Sequence, residues 1–486
     1  MIEGYLGRET VFAGGSLRLH VSTDARGFRV DFYRLGEETT LVGSSDWRPG
    51  AAAAAPPHPD GDPTHASPAV DWNWPEYTFP VPSFWRPGIY LACLVAEGTD
   101  LAAVAPERRL RSVSGPEREF FIVRSSNPGS VSRILYKKST FTRHAYNRSD
   151  HRQRVRASSL YENTVYVDSP PTGPRGHKVS MRRPGGITDL GYWDAPFIAW
   201  LERNGYVVEY CGDLDLHREP GLLDNYRLLL SVGHDEYWSE AMRSHVESFV
   251  ANGGNVAFLS ANTCWWRVHL TDDDTAFVAD TERPVGPDRP VGPATDLWWA
   301  PVPHGVGRPE NTLTGVSFRN GGMWPGDWPG DRPRPGFTVQ HADHWVYQGT
   351  GLKDGSGGGE PDVFAAGVPL IGYECDGAAF RYDADGVARA TGEDGTPESF
   401  LILGIALLEP ASQEEPRLRP GRWTVEPRER RIDSPRAATM GIRTANGTVF
   451  TAATTDWPRV VGKGQDPVVA RITRNVLDRL GSGGSG

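Results

Sequence analysis

The chain has 486 residues with 56 Gly and 40 Pro, about a fifth of its length against roughly 12% in average globular usage, so turns and irregular segments are abundant. A hydrophobic share of 38%, with 16 Trp, 16 Tyr and 18 Phe, excludes a disordered chain, because such side chains need a core. The formal net charge of −10 excludes a general nucleic-acid binder, and the length calls for two or more domains.

Residues 1 to about 125 read as β. Short alternating runs at Ser16–Ser22, Phe28–Leu35, Tyr77–Val81, Gly88–Ala96 and Glu119–Val123 are separated by turn signals, which predicts a small antiparallel, immunoglobulin-like sandwich. Ala51–Pro68 is rich in alanine and proline without a period and reads as a mobile loop inside that domain. Ser125–Ser130 reads as a linker. After about residue 130 the texture changes to alternating strands and helices. Ile134–Tyr136, Tyr206–Tyr210, Tyr226–Val232 and Asn255–Ser260 read as strands, and Ala195–Asn204 and Ser239–Asn252 as helices. That alternation predicts βαβ units and a parallel sheet covered on both faces. Ser239 is placed to cap its helix and Gly253–Gly254 to end it. Residues 271–395 hold most of the Gly and Pro and read as a long insertion with irregular loops and a few strands. The pattern resumes at Ser399–Leu408, continues at Gly447–Thr455 and closes with a helix at Pro467–Leu480. Gly481–Gly486 reads as an appended flexible tail, leaving a second domain over residues 130–480.

Cys93, Cys211, Cys264 and Cys375 form no CxxC pair and read as reduced, buried thiols rather than a disulfide framework or a zinc site. Met1–Tyr5 has neither the basic nor the apolar part of a signal peptide. The longest apolar run, Phe400–Leu408, is far shorter than the roughly 20 residues a bilayer span needs. A soluble, cytoplasmic protein without membrane attachment is expected.

Ligands of open parallel sheets sit at the carboxyl ends of the strands. Three such ends here deliver His234 and Glu236, Asn262, and Thr455 with Asp456 to one edge, a set more polar than helix capping requires. A second polar cluster lies at Thr142–Asn147 and Ser158–Asn163. His144 and His217 read as surface residues. The glycines of Ser356–Gly359 match no phosphate loop, and no Gly-X-Ser-X-Gly elbow occurs.

The phrases HAYN, SLYEN, YRLLLSVGHDEYWS, NGGNVAFLSANTCWWRV, GYECDG and GTVFTAATTDW resemble the catalytic large-subunit region of N,N-dimethylformamidase and its relatives over roughly residues 130–480. The resemblance implies a glutamine-amidotransferase-like α/β core lacking the cysteine nucleophile, and an active site with one ferric ion per chain held by two tyrosinates and a glutamate. Residue by residue, Tyr146 of the AYN motif and Tyr161 of the SLY motif match the tyrosine ligands, and Glu236 of HDEYW matches the carboxylate. His234 and Asn262 match polar residues around the metal. Glu374 of GYECDG and Asp456 join them as further candidates for the catalytic set, and Arg283 as a positive charge near it. Ferric iron is a hard acid suited to phenolate and carboxylate oxygens. It would lower the pKa of water and polarise an amide carbonyl. His234 would pass a proton to the leaving amine, and Asn262 would donate to the oxyanion.

The expected activity is therefore hydrolysis of a small N-substituted amide. The basic stretch Arg148–Arg156 departs from the pattern near the site entrance, and the additional N-terminal region of the large subunit is not recognisable. Dimethylformamide itself is accordingly not assigned as substrate. The family enzyme has a small partner subunit; whether this chain has one, or forms a homo-oligomer, stays open. Two other readings also stay open: a ferric-tyrosinate oxidative enzyme, and a non-enzymatic carbohydrate- or partner-binding protein with a decayed site. Trp238, Trp265, Trp266, Trp345 and Trp457 would suit an apolar ligand or, equally, pack the core.

Overall fold

Gly88–Ala96 is buried along all but the last of its nine residues, so it needs neighbours on both edges and both faces. Its edges pair antiparallel with Arg118–Arg124 and Gly27–Arg34. These pairings belong to a computed structural model that describes residues 2–59, 61, 65–99, 117–147, 156–157, 159–160, 166–167, 176–185, 189–281, 295–302, 304–323, 334–408 and 434–482.

The chain divides into two units. The first comprises Met1–Ser132, Thr140–Glu219 and Val268–Asp280. One of its sheets runs Thr10–Phe12, Arg118–Arg124, Gly88–Ala96, Gly27–Arg34, Thr40–Ser44, and another runs Ile2–Leu6, Ser16–Thr23, Glu76–Pro80. Leu17, Leu19 and Phe79 from the second sheet share one core with Phe28, Tyr90 and Phe121 from the first. Trp85 stacks on Tyr90 with centroids 4.9 Å apart. Both sheets of this core follow from the alternating runs; Ile2–Leu6, Thr10–Phe12 and Thr40–Ser44 were not anticipated.

The expectation of a mobile loop over Ala51–Pro68 fails for its described residues. Trp74 Nε1 donates to Ala54 O at 3.0 Å, Ala53 N donates to Ser22 Oγ at 2.9 Å, and Ala66 is fully buried beside Trp72 and Trp74. Ala53 and Ala55 pack against the cluster of Tyr5, Trp72 and Trp74, which an aperiodic composition does not reveal. His144 is likewise buried, with Nε2 2.7 Å from Glu9 Oε1, and not on the surface. It lies in the helix Thr140–Tyr146, whose first turn is held by Phe141 N donating to Asp213 Oδ2 at 2.8 Å.

The second unit comprises Arg133–Ser139, Pro220–Arg267 and Thr281–Gly486. Ile134–Lys138, Leu228–His234, Asn255–Ala261 and Thr448–Thr451 lie side by side and parallel. The sheet then continues antiparallel through Ala437–Thr444, Leu401–Leu407, Phe337–Val339 and Val363–Phe364. The expected parallel sheet is thus only its first half. The reversal has a local cause: Ala437–Thr444 and Thr448–Thr451 are joined by a three-residue turn, which can only connect antiparallel neighbours. Gly447 in that turn has no room for a side chain, since a Cβ would stand 1.9 Å from Gly254 O. The Gly- and Pro-rich 271–395 region supplies two of the antiparallel strands.

Glu240–Ala251 buries Met242, Val246, Phe249 and Val250 at helical spacing and starts on Ser239, whose side chain accepts from Met242 N. Pro467–Gly481 buries Val469, Ile472, Val476 and Leu480, again on one stripe. Among the described residues no helix is long and apolar enough to cross a membrane. Asp466 Oδ1 accepts from Val468 N at 2.8 Å and Val469 N at 2.9 Å, ahead of a proline suited to the first helical position. Asp466→Ala should therefore cost about 1 kcal/mol of stability, read as a lower urea midpoint at unchanged slope; no shift would show that the cap is not stabilising.

Candidate active site

Leu228–His234 is wholly buried, and Gly233 adopts φ +76° near its carboxyl end. His234 pairs in register with Ala261 of the parallel neighbour, so Glu236 and Asn262 emerge at adjacent strand ends. His234 Nε2 stands 3.0 Å from Glu236 Oε2 and 2.7 Å from Glu374 Oε2, and all three side chains are buried. The Tyr373 ring meets the imidazole edge-on at 5.6 Å. Asn262, also buried, lies close enough to Glu374 for its side chain to pull that carboxyl down.

Burial by itself pushes the His234 imidazole down. The Glu374 charge and hydrogen bonds to both glutamates outweigh it and hold the group at about 10. Burial likewise raises Glu374, against the lowering pull of His234. The centre thus gathers two carboxylates around one imidazole, a buried excess of negative charge that a cation would relieve.

The loop between His234 and Glu236 is held from beneath by Asp235. Lys137 Nζ lies 2.6 Å from Asp235 Oδ1, both fully buried, and 4.8 Å from the Trp238 ring centroid. Ser231 Oγ donates to Asp235 Oδ2 at 2.6 Å and lies 2.8 Å from Ser260 Oγ, which reaches Thr263 Oγ1 at 3.0 Å. The turn after Asn255–Ala261 is tied to the same loop: Cys264 N donates to Asp235 O at 2.9 Å, and Trp265 N and Trp266 N donate to Glu236 O at 2.8 and 3.0 Å.

The structure therefore brings four candidates together: His234, Glu236, Asn262 and Glu374. Asp456 serves the same unit differently. Its Oδ2 accepts from Tyr373 N at 3.1 Å and its Oδ1 pairs with Arg459 Nε at 2.8 Å, which fixes the segment leading into Glu374. Thr455 N also donates to Glu374 O at 3.1 Å. Tyr146, half-buried, ends the helix Thr140–Tyr146 of the first unit. Its turn is anchored by Arg183, which donates to His144 O at 3.2 Å and Asn147 O at 2.8 Å. Tyr161 and Arg283 lie outside the described residues, as does most of Arg148–Arg156. Trp238, Trp266 and Trp457 are fully buried core residues, whereas Trp265 is partly exposed. Tyr373, Asp235, Asp376 and Lys137 are additions that motif reading did not single out, although GYECDG and HDEYW contain three of them.

Among the described residues, no group of three or more His, Cys, Asp and Glu side chains is arranged to hold a metal ion.

Cys264 is fully buried and its thiol is pushed up by that burial, the opposite of an activated nucleophile. Cys264→Ala should keep most turnover; abolished turnover in a folded variant would return the thiol to the mechanism. Lys137→Met should cost about 3–5 kcal/mol, because it strands the buried Asp235 charge. Chemical denaturation reads this, and a change under about 1 kcal/mol would show the pair to be dispensable.

Over residues 26–466 the chain matches the family described as N,N-dimethylformamidase beta subunit-like, C-terminal. It is 26% identical over 311 residues to the N,N-dimethylformamidase beta subunit of Paracoccus aminophilus, covering 59% of this chain and 37% of that protein. It is 26% identical over 317 residues to the protein of the same name from Alcaligenes sp, with the same 59% and 37% coverage. The alignments thus span little more than a third of the length of these curated relatives. The family match covers most of the chain, and the chain belongs to the N,N-dimethylformamidase beta subunit-like C-terminal family.

Proposed function

We propose that the protein hydrolyses N-substituted amides of small molecules. The observation that carries this reading is the buried trio His234, Glu236 and Glu374, with Nε2 of the histidine within 3.0 Å of both carboxylates and Asn262 beside Glu374. We assign one ferric ion per chain as cofactor, with Tyr146, Tyr161 and Glu236 as its ligands. Two phenolates and a carboxylate match a hard trivalent cation, and the excess buried carboxylate charge supports a cation here. When bound, the ion supplies Lewis acidity, which lowers the pKa of water and polarises a carbonyl.

The remaining work falls to this chain's own side chains. Hydrolysis forms a bond from a water oxygen to the carbonyl carbon and breaks the C–N bond. The nitrogen leaves with a proton that the water has given up. His234 Nε2 holds and delivers that proton, because expulsion of an unprotonated amine is the difficult step. With Glu236 engaged by the ion, Glu374 remains to orient the imidazole and balance its charge. The Asn262 side-chain amide can donate, and its N–H serves the oxyanion, an effect typically worth about 3 kcal/mol. The relatives are named beta subunits, and we extend this to a chain that works within an assembly, whether with a second kind of subunit or with copies of itself.

Purified protein should carry about one iron per chain and show a visible phenolate-to-iron band. Tyr146→Phe or Tyr161→Phe should bleach that band. Glu236→Ala should lose iron and amide turnover together. His234→Ala should keep the iron and lose roughly 100-fold in turnover, and Asn262→Ala should keep the iron with a lower kcat. Metal analysis and amine release from dimethylformamide and larger N-alkyl formamides measure these outcomes. Iron lost from the His234 variant but kept in the Glu236 variant would reverse the assignment. Oxygen consumption during turnover would replace hydrolysis with oxidation.

A further inference from the structure

The turn that presents Asn262 has an unusual backbone. Asn262 and Cys264 have φ of +48° and +58°, a region that residues other than glycine and asparagine rarely enter, so that Cys264 in particular keeps it only because its surroundings hold it there. Two sets of contacts impose it here. On one side, the backbone N–H groups of Cys264, Trp265 and Trp266 donate to the carbonyls of Asp235 and Glu236. On the other, the Asp376 carboxylate accepts from Asn262 N at 2.8 Å and from Thr263 N at 3.3 Å, one oxygen for each.

Asp376 has little freedom of its own. It is 1% exposed, and its N–H donates to Ala453 O at 3.0 Å. It sits in the strand Cys375–Gly377, which pairs with Ser317–Gly322. Gly321 of that partner approaches so closely that a Cβ there would stand 1.9 Å from Cys375 O, and a Cβ on Gly377 would stand 2.3 Å from Ala437 O. Asp376 is also two residues after Glu374. It therefore straps the turn carrying Asn262 to the strand that Glu374 leads into, and the side chains of Asn262 and Glu374 lie beside each other. Asn262 Oδ1 is buried without a hydrogen bond among the described residues, so the amide is aimed chiefly by its backbone.

We propose that Asp376 is a positioning residue of the active site, acting through Asn262: its two carboxylate oxygens hold the Asn262–Thr263 turn in the left-handed conformation that sets the Asn262 amide against Glu374. This rests on the assignment of Asn262 to the oxyanion side of amide hydrolysis, while the geometry it invokes stands apart from that assignment. An aspartate suits the task because successive N–H groups need two acceptors, and an asparagine of the same size offers one.

The test uses Asp376→Asn, Asn262→Ala and the double variant in the full chain, with dimethylformamide as the probe. Asp376→Asn should melt near the wild type, retain its iron and keep KM within about twofold, while kcat falls roughly tenfold or more. The double variant should be no slower than Asn262→Ala alone, since removing the aim of an absent amide costs nothing further. An unchanged kcat in Asp376→Asn, or a double variant slower by the product of the two single effects, overturns the proposal. A crystal structure of Asp376→Asn supplies the readout that does not need turnover. The Thr263 N–H contact should be lost and the Asn262 amide should leave Glu374; both retained would overturn the proposal even in an active enzyme. A wild type inert toward amides, with Asn262 displaced in the variant, would sink the amide-hydrolase reading and leave the positioning role standing.

Discussion

The second unit is organised around charge that has been taken out of water. Glu236, Glu374, Asp235 and Asp376 are all buried within one loop-and-turn system, and each isolated carboxylate would be costly there. The costs are offset in three ways. Lys137 neutralises Asp235 from below, His234 lies between Glu236 and Glu374, and backbone N–H groups solvate Asp376. Because every offset is directional, each one also fixes a position. Lys137 comes from the strand Ile134–Lys138, His234 from Leu228–His234 and Asn262 from the end of Asn255–Ala261. The parallel register of these three strands is thus coupled to the side-chain geometry at their ends.

The first unit uses a related device. Arg183, itself buried, donates to the carbonyls of His144 and Asn147 on either side of Tyr146. A helix C-terminus leaves carbonyls unsatisfied, and a guanidinium can serve several at once. Asn147 Nδ2 then ties the same turn to Pro184 O at 2.9 Å. Arg143 pairs with Glu119 at 2.6 Å one turn earlier. The backbone carrying the tyrosine is therefore braced by buried cations, as the loop carrying Glu236 is braced by Lys137.

Much of this was legible in the amino-acid order. Leu228–His234 and Asn255–Ala261 announce themselves as continuous apolar runs, and Glu240–Ala251 as an apolar stripe between a serine and two glycines. Placing His234, Glu236 and Asn262 at one edge needed only the rule about strand ends. Other features left no such trace. Ala437–Thr444 is a strand of mostly small residues with Thr439, Ile442 and Thr444 as its β-branched side chains, and no two-residue period marks it. Ala51–Pro68 lacks a pattern because its partner surface, Trp72 and Trp74, comes later in the chain. His144 reads as a surface residue until Glu9, far away in sequence, is brought to it. Asp376 resembles any aspartate before a glycine, and its role depends on a turn over a hundred residues earlier. What escaped was long-range pairing; what was visible was local pattern.

The sheet order carries a consequence for how the chain is made. Thr448–Thr451 inserts between Asn255–Ala261 and Ala437–Thr444, although nearly two hundred residues of synthesis separate it from the first of these. Until it emerges from the ribosome, the run Val256-Ala257-Phe258-Leu259 has one unpaired edge, an apolar template for another nascent chain. Pairings so distant in sequence form slowly, and partly folded intermediates with open edges are prone to aggregate. The elements bearing His234 and Asn262 are thus translated early and completed late. Recombinant yield should consequently depend on growth temperature and chaperone supply as much as on the stability of the finished fold.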